Sequence, residues 1–209
     1  MVEAVDFLWW RCLNGYRLSA GGLESVGKQF EQYRPLEDLA LFVKFARDTP
    51  ASPQGMLQFC NKYGLLGGGR PDIPISSGRP TSESVMLHVL LQHHAELRGA
   101  YNLFERKNDA SKLLDYWNSI GRGLLRVELR QNEAGLNWVL VPPDLIAALW
   151  FQFGQYACAG GDRLFRCQHC NEPFRVGRGT GRRSTAKYCS NRCKVAAFKA
   201  RQECRSNAD

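Results

Sequence analysis

Four cysteines near the C-terminus, Cys167, Cys170, Cys189 and Cys193, stand at metal-ligand spacing: a C-x2-C pair, the intervening stretch 171–188, then a C-x3-C pair. Zinc takes four tetrahedral ligands, each thiolate at about 2.3 Å. A C-x2-C turn sets two sulfurs on one side of an ion, with backbone N–H groups free to stabilise their charge. A C-x3-C pair is an i, i+4 pair, which the first turn of a helix carries on one face. The positive end of a helix also favours thiolate over thiol. The spacing therefore predicts one Zn²⁺ ion held by these four residues. Iron–sulfur clusters also use four cysteines, but the common ferredoxin spacings differ from this one. Cys204 would lie about 16 Å beyond Cys193 along a continuous helix, and His169 sits inside the knuckle, so neither is expected in the coordination sphere. Cys12, Cys60 and Cys158 lie among apolar residues and read as core. A reducing compartment favours metal over disulfides for such a set.

Positive charge gathers around the same cysteines. The chain of 209 residues has 28 Lys and Arg against 20 Asp and Glu, a net +8. Residues 163–209 carry 12 of the cations and three acids, a net +9, while residues 1–162 sum to −1. That asymmetry predicts a polyanionic partner, nucleic acid ahead of membrane and DNA ahead of RNA. No lipid-facing stripe accompanies the cations, and no apolar run approaches the roughly 20 residues that span a bilayer. The expected contacts are Arg175, Arg178, Arg182 and Arg183 in a glycine-rich loop, Lys187 beside the third cysteine, and Arg192, Lys194, Lys199, Arg201 and Arg205 along a helix. On a helical wheel Cys189, Cys193, Ala196, Ala197, Ala200 and Cys204 share one face; the cations flank it, with Phe198 on one of the flanks. The loop glycines do not have dinucleotide-binding spacing.

Catalytic signatures are missing: there is no H-E-x-x-H, G-x-S-x-G or P-loop. His88, His93, His94 and Glu96 fall on one helix and read as core or surface residues. A lone His169 near the cysteines is too little for an HNH-type nuclease. The expectation is a protein that is not an enzyme. The N-terminal stretch, with Glu3 and Asp6 and no basic region ahead of its apolar residues, does not read as a signal peptide, which points to the cytoplasm.

The elements that must position these groups can be read from periodicity. Residues 2–19 suggest a hairpin about Asn14–Gly15. Pro35 suggests the start of a helix through Leu36, Leu39, Ala40, Val43 and Ala46. Ser52–Pro53 starts another helix, which stops at Gly64, and 64–80 read as loop. Thr81 or Ser82 caps a long helix that includes Val85 and reaches Phe104; Asp109 or Ser111 opens the next, closed near Gly121–Gly123. Alternation over 125–130 and 136–141 predicts an antiparallel hairpin. Pro142-Pro143-Asp144 opens an apolar helix ending at Gly160–Gly161. The fold class predicted is α+β: a mostly helical domain over 1–160 with one or two hairpins, then a basic zinc finger over 163–205. A hairpin is expected within 171–188, between the cysteine pairs.

A knuckle, a hairpin and a helix bearing the last ligands resemble the treble-clef zinc finger, and the phrase Tyr188-Cys189-Ser190-Asn191-Arg192-Cys193-Lys194 looks much like its bacterial members. The layout, with a helical domain over 1–160 ahead of the finger, is similar to the CGNR zinc-finger family of stress-induced transcription regulators. The Cys-Gly-Asn-Arg signature itself is replaced here by Cys193-Lys194-Val195-Ala196. The resemblance implies Cys167, Cys170, Cys189 and Cys193 as zinc ligands and a nucleic-acid-binding role. The leading expectation is a transcriptional regulator whose finger contacts DNA, with residues 1–160 sensing a ligand, dimerising or holding a protein partner. The alternatives are a zinc-finger subunit of a nucleoprotein complex, such as an RNA-guided effector, and a protein-interaction adaptor with a purely structural zinc.

Overall fold

Alternation in the sequence up to Tyr33 is too irregular to name strand partners, and the first strand does not pair with its neighbour in the chain. The computed structural model describes residues 7–67, 84–107, 109–120, 125–132, 135–158, 163–176, 181–183 and 185–206. Strand β1 (Trp9–Cys12) pairs antiparallel with β4 (Phe30–Tyr33), whereas β2 (Tyr16–Ser19) pairs with β3 (Gly22–Ser25). The hairpin expected over 2–19 is thus incorrect, although its turn exists. Gly15 adopts φ 75° and its N–H donates to Cys12 O at 3.1 Å, but the turn passes the chain from one sheet to the other. Two hydrogen bonds hold it there: Tyr16 N donates to the distant Asn61 Oδ1 at 2.6 Å, and Cys12 N donates to the Tyr16 hydroxyl at 3.0 Å.

The helix expected from Pro35 is broken in two. Pro35–Glu37 makes a single 3₁₀ turn, Asp38 is extended, and α1 (Leu41–Val43) runs straight into a π-helical turn over Lys44–Asp48. Asp38 is the cause: its Oδ1 accepts from Ala40 N at 3.2 Å, an Asx-type turn that competes with helix. Leu41, Phe42, Val43, Phe45 and Ala46 are all buried, so burial covers the run all round and not along one helical stripe.

Helix α2 (Pro53–Tyr63) matches expectation at both ends. The Ser52 hydroxyl accepts from Gly55 N, and Gly64 closes the helix at φ 80°. The long helix starts later than expected, as α3 (Leu87–Lys107), because Ser84–Val85 form strand β5 on the edge of β3, with Val85 opposite Leu23. Gly22, at φ 145°, makes room for that strand, since a Cβ there would strike Val85 O. Thr81 and Ser82 lie outside the described residues. Helix α4 (Ser111–Ile120) follows, with Asp109 Oδ1 accepting from Ser111 N at 2.8 Å. The hairpin of β6 (Arg126–Asn132) and β7 (Gly135–Val141) lies where alternation placed it. Helix α5 (Leu145–Cys158) is capped by Asp144, whose Oδ1 accepts from Ala147 N at 2.9 Å.

Helix α5 is the core element of this unit: Leu145, Leu149, Trp150 and Phe153 are fully buried. Phe153 stacks on Phe42 with centroids 5.6 Å apart, and Phe42 also meets Tyr101 and Tyr156. Gln152, also buried, ties α5 to the broken segment. Its Oε1 accepts from Phe42 N at 3.0 Å and its Nε2 donates to Asp38 O at 2.7 Å. Among the described residues no helix is long and apolar enough to cross a membrane.

The chain divides into two compact units, Met1–Ala157 and Cys158–Asp209; Gly160–Gly161 lies outside the described residues. The second unit has β8 (Arg163–Arg166), β9 (Pro173–Val176) and α6 (Asn191–Ser206). The described strand pair straddles the first two cysteines, because the C-x2-C knuckle is itself the turn that reverses the chain. Strand β9 continues into the 171–188 stretch where a hairpin is expected, and residues 177–180 and 184 of that stretch lie outside the described residues.

Candidate metal centre and its basic surface

Strands β8 and β9 run in register from Arg163↔Val176 to Arg166↔Pro173, delivering the chain directly into the knuckle. There Cys167 N donates to Glu172 O at 3.0 Å and Asn171 N to Cys167 O at 2.9 Å. Asn171 takes φ 58°, a left-handed conformation that asparagine tolerates better than other side chains. Gln168 N donates to Lys187 O at 3.0 Å, which brings the second cysteine pair against the first. Ser190 then caps α6: its hydroxyl accepts from Cys193 N at 3.2 Å, and its carbonyl from Lys194 N at 3.1 Å. Cys189 therefore stands just ahead of the helix cap and Cys193 in the first turn. Neither Asn171 nor Ser190 was singled out from the sequence, though a serine three residues before Cys193 is an N-cap signal.

The four sulfurs lie within 4.8 Å of one another, with Cys170 and Cys189 Sγ 3.6 Å apart and Cys189 and Cys193 Sγ 3.4 Å apart. Tetrahedral Zn–S bonds of about 2.3 Å require sulfurs about 3.8 Å apart, so the cluster could hold one metal ion. Cys167 is buried, Cys189 and Cys193 half-buried, and Cys170 exposed. Burial opposes ionisation of Cys167, yet backbone N–H groups of Cys170, Cys189 and His169 aimed at its sulfur outweigh it and pull the thiol down to about 6. Cys189 moves the other way, up to about 12, through burial and then the sulfurs of Cys193, Cys170 and Cys167. Sulfurs this close cannot all ionise on their own, whereas a divalent cation among them makes four thiolates compatible. Among the described residues no other set of three or more His, Cys, Asp or Glu has its ligand atoms gathered for a metal.

A small apolar cluster surrounds the sulfurs. Cys167, Phe174 and Val176 are buried, with Ala186, Tyr188, Cys189 and Cys193 packed on them. Arg182 lays its guanidinium over the Phe174 ring, 5.6 Å from the centroid. On α6 the face bearing Cys193, Ala196 and Ala197 is half-buried, while Ala200, expected on the same face, is exposed.

The expected cations separate into groups. Arg183, Lys187, Arg192, Lys194, Lys199 and Arg201 are exposed. Arg201 also donates to Ala197 O at 3.1 Å and to the Tyr188 hydroxyl at 3.3 Å. Arg175 lies in β9, not in a loop, and is only 8% exposed; Arg182 is half-buried on Phe174. Arg178 lies outside the described residues, as does the side chain of Arg205. Two exposed apolar side chains, Val195 and Phe198, stand among the cations of α6. Helical spacing alone puts Phe198 on the cationic flank, whereas nothing in the sequence marks Val195.

The histidines take no part in a comparable site. His94 is fully buried, 3.0 Å from Thr49 O through Nε2 and edge-on to Phe45. His93 lies 3.7 Å from Glu96, and His88 is exposed. Burial holds both His93 and His94 below the usual histidine value. No family model, curated protein or solved structure matches this chain.

Proposed function

We propose that Cys167, Cys170, Cys189 and Cys193 hold one structural Zn²⁺ ion in a treble-clef arrangement, and that the unit so formed binds nucleic acid, DNA ahead of RNA, in a regulatory protein of the CGNR type. Four sulfurs with no nitrogen or carboxylate ligand are a zinc donor set. With all four positions filled by protein, the ion stabilises the fold and leaves no site for substrate, consistent with a protein that is not an enzyme. The resemblance in the Tyr188–Lys194 phrase points the same way.

The observation that carries the nucleic-acid reading is the position of the cations. Arg183, Lys187, Arg192, Lys194, Lys199 and Arg201 are exposed on the unit that the cysteines gather, and none has an acidic side-chain partner among the described residues. A net +9 over residues 163–209, on a chain otherwise near neutral, matches a phosphate backbone. The test is fluorescence anisotropy with labelled duplex DNA, single-stranded DNA and RNA over a salt series. If these six cations meet six phosphates, log K against log salt falls with a slope near −5 on duplex and about −4 on a single strand. Absence of salt-dependent binding to all three would sink the reading. Lys199→Ala/Arg201→Ala should weaken binding with zinc content unchanged.

A further inference from the structure

Helix α6 packs against the cysteine cluster through Cys193, and Ala196 and Ala197, on the same side of the helix by spacing, are half-buried. At about 100° per residue, Phe198 projects about 140° away from Cys193 and about 160° from Ala196, toward solvent. It is 55% exposed, and Val195, one turn earlier on the same outward face, is 53% exposed. Isolated exposed apolar residues are ordinary, but these are adjacent, and one is an aromatic ring. Lys194 stands four residues before Phe198 and Arg201 three after it, so exposed cations bracket the ring along the helix, with Lys199 beside it. The resulting surface has a flat apolar centre within a cationic rim. An acidic protein would satisfy the rim and a lipid the centre. A polyanion whose repeating unit also carries a flat apolar face satisfies both, and that is a nucleic-acid strand with unpaired bases. In a duplex the base faces are stacked on one another, and opening a step costs a few kcal/mol. In a single strand the faces are free to stack on a protein ring while phosphates reach the cations.

Building on the nucleic-acid reading above, we infer that Phe198 is a base-stacking platform, supported by Val195 and flanked by Lys194 and Arg201, and that the metal-gathered unit prefers single-stranded nucleic acid to duplex. The full chain loaded with zinc is titrated with three labelled oligonucleotides of equal length: oligo-dT, an abasic strand with the same phosphates, and a duplex. Oligo-dT binds at least about fivefold tighter than the abasic strand, the lower bound of one aromatic–base stack, and tighter than the duplex. Phe198→Ala abolishes the difference from the abasic strand and leaves abasic binding and zinc content unchanged, while Phe198→Tyr preserves it. Phe198 is exposed, so its removal leaves the packed face of α6 intact. Equal binding of oligo-dT and abasic strand by the wild-type chain, with Phe198→Ala neutral, overturns the stacking role while the cationic reading stands. No binding to any strand overturns both. A change in oligomeric state on Phe198→Ala, with oligo-dT affinity unaltered, makes the patch a contact between copies and also overturns the inference.

Discussion

Removing the metal should unfold the second unit and spare the first. The buried core of residues 158–209 is Cys167, Phe174 and Val176 among the described residues. Fully burying a Phe or a Val stabilises by about 1.5–3 kcal/mol each, so these two apolar side chains contribute about 3–6 kcal/mol together. A structural Zn²⁺ contributes about 10–16 kcal/mol at neutral pH, well above that figure, and a unit of this size is near the lower limit at which cores hold on their own. The assay is hydrogen exchange and far-UV circular dichroism on the full chain before and after chelation, with metal content measured in parallel. After chelation the amides of α6 should exchange as an unfolded segment does, and ellipticity should fall by the share of its 16 residues. Helices α2, α3 and α5 should stay protected. Restoring one equivalent of Zn²⁺ should recover α6, and any of Cys167→Ser, Cys170→Ser, Cys189→Ser or Cys193→Ser should mimic chelation, whereas Cys204→Ser should not. A chelated chain free of metal that keeps α6 protected would refute the reasoning, because it would show that the small apolar cluster suffices.

His94 is depressed in the folded state, so the stability it contributes is full above the unfolded value of 6.5 and is lost as pH falls below it. Unfolding free energies from denaturant titrations should decline there by up to about 1.4 kcal/mol per pH unit for each such histidine, and His94→Gln should flatten the profile. Asp144 has the opposite sign: burial raises it from 3.8 to about 6, so its contribution is full below 3.8 and lost as pH rises through 6. Asp144→Asn keeps an acceptor for Ala147 N and should remove that loss, measured by the same titrations between pH 4 and 7. Trp9 donates from Nε1 to the buried Leu65 carbonyl at 2.8 Å, and Trp9→Phe should lower stability by about 1–3 kcal/mol in urea titrations.

How much of this was legible depended on whether a signal was local. The caps at Ser52 and Asp144, the stop at Gly64 and the alternation of β6 and β7 each depend on residues within a few positions, and each was found. Pairing of β1 with β4 and β5 with β3 depends on residues far apart, and nothing in the Trp9–Cys12 alternation names its partner. Residues 35–48 misled because their apolar positions mimic one helix, while Asp38 takes the backbone bond that would continue it. The cysteine cluster was legible because four cysteines at that spacing are a recurrent metal-ligand pattern. Arg175 was misplaced because position in a glycine-rich sequence suggested a loop, whereas the knuckle folds its strand inward.

Gln152 has a consequence for biosynthesis. The groups it satisfies, Phe42 N and Asp38 O, lie 110 and 114 positions earlier in the chain. At about 5–20 residues per second of translation, the segment around Phe42 waits about 5–20 s for the helix that seals it. During that wait Phe42 lacks the cover of Phe153 and Tyr156 of α5, so the nascent chain presents an apolar ring that a ribosome-associated chaperone would be suited to shield. Arrested chains ending before Leu145 should remain protease-sensitive around Phe42, and chains extended past Cys158 should not.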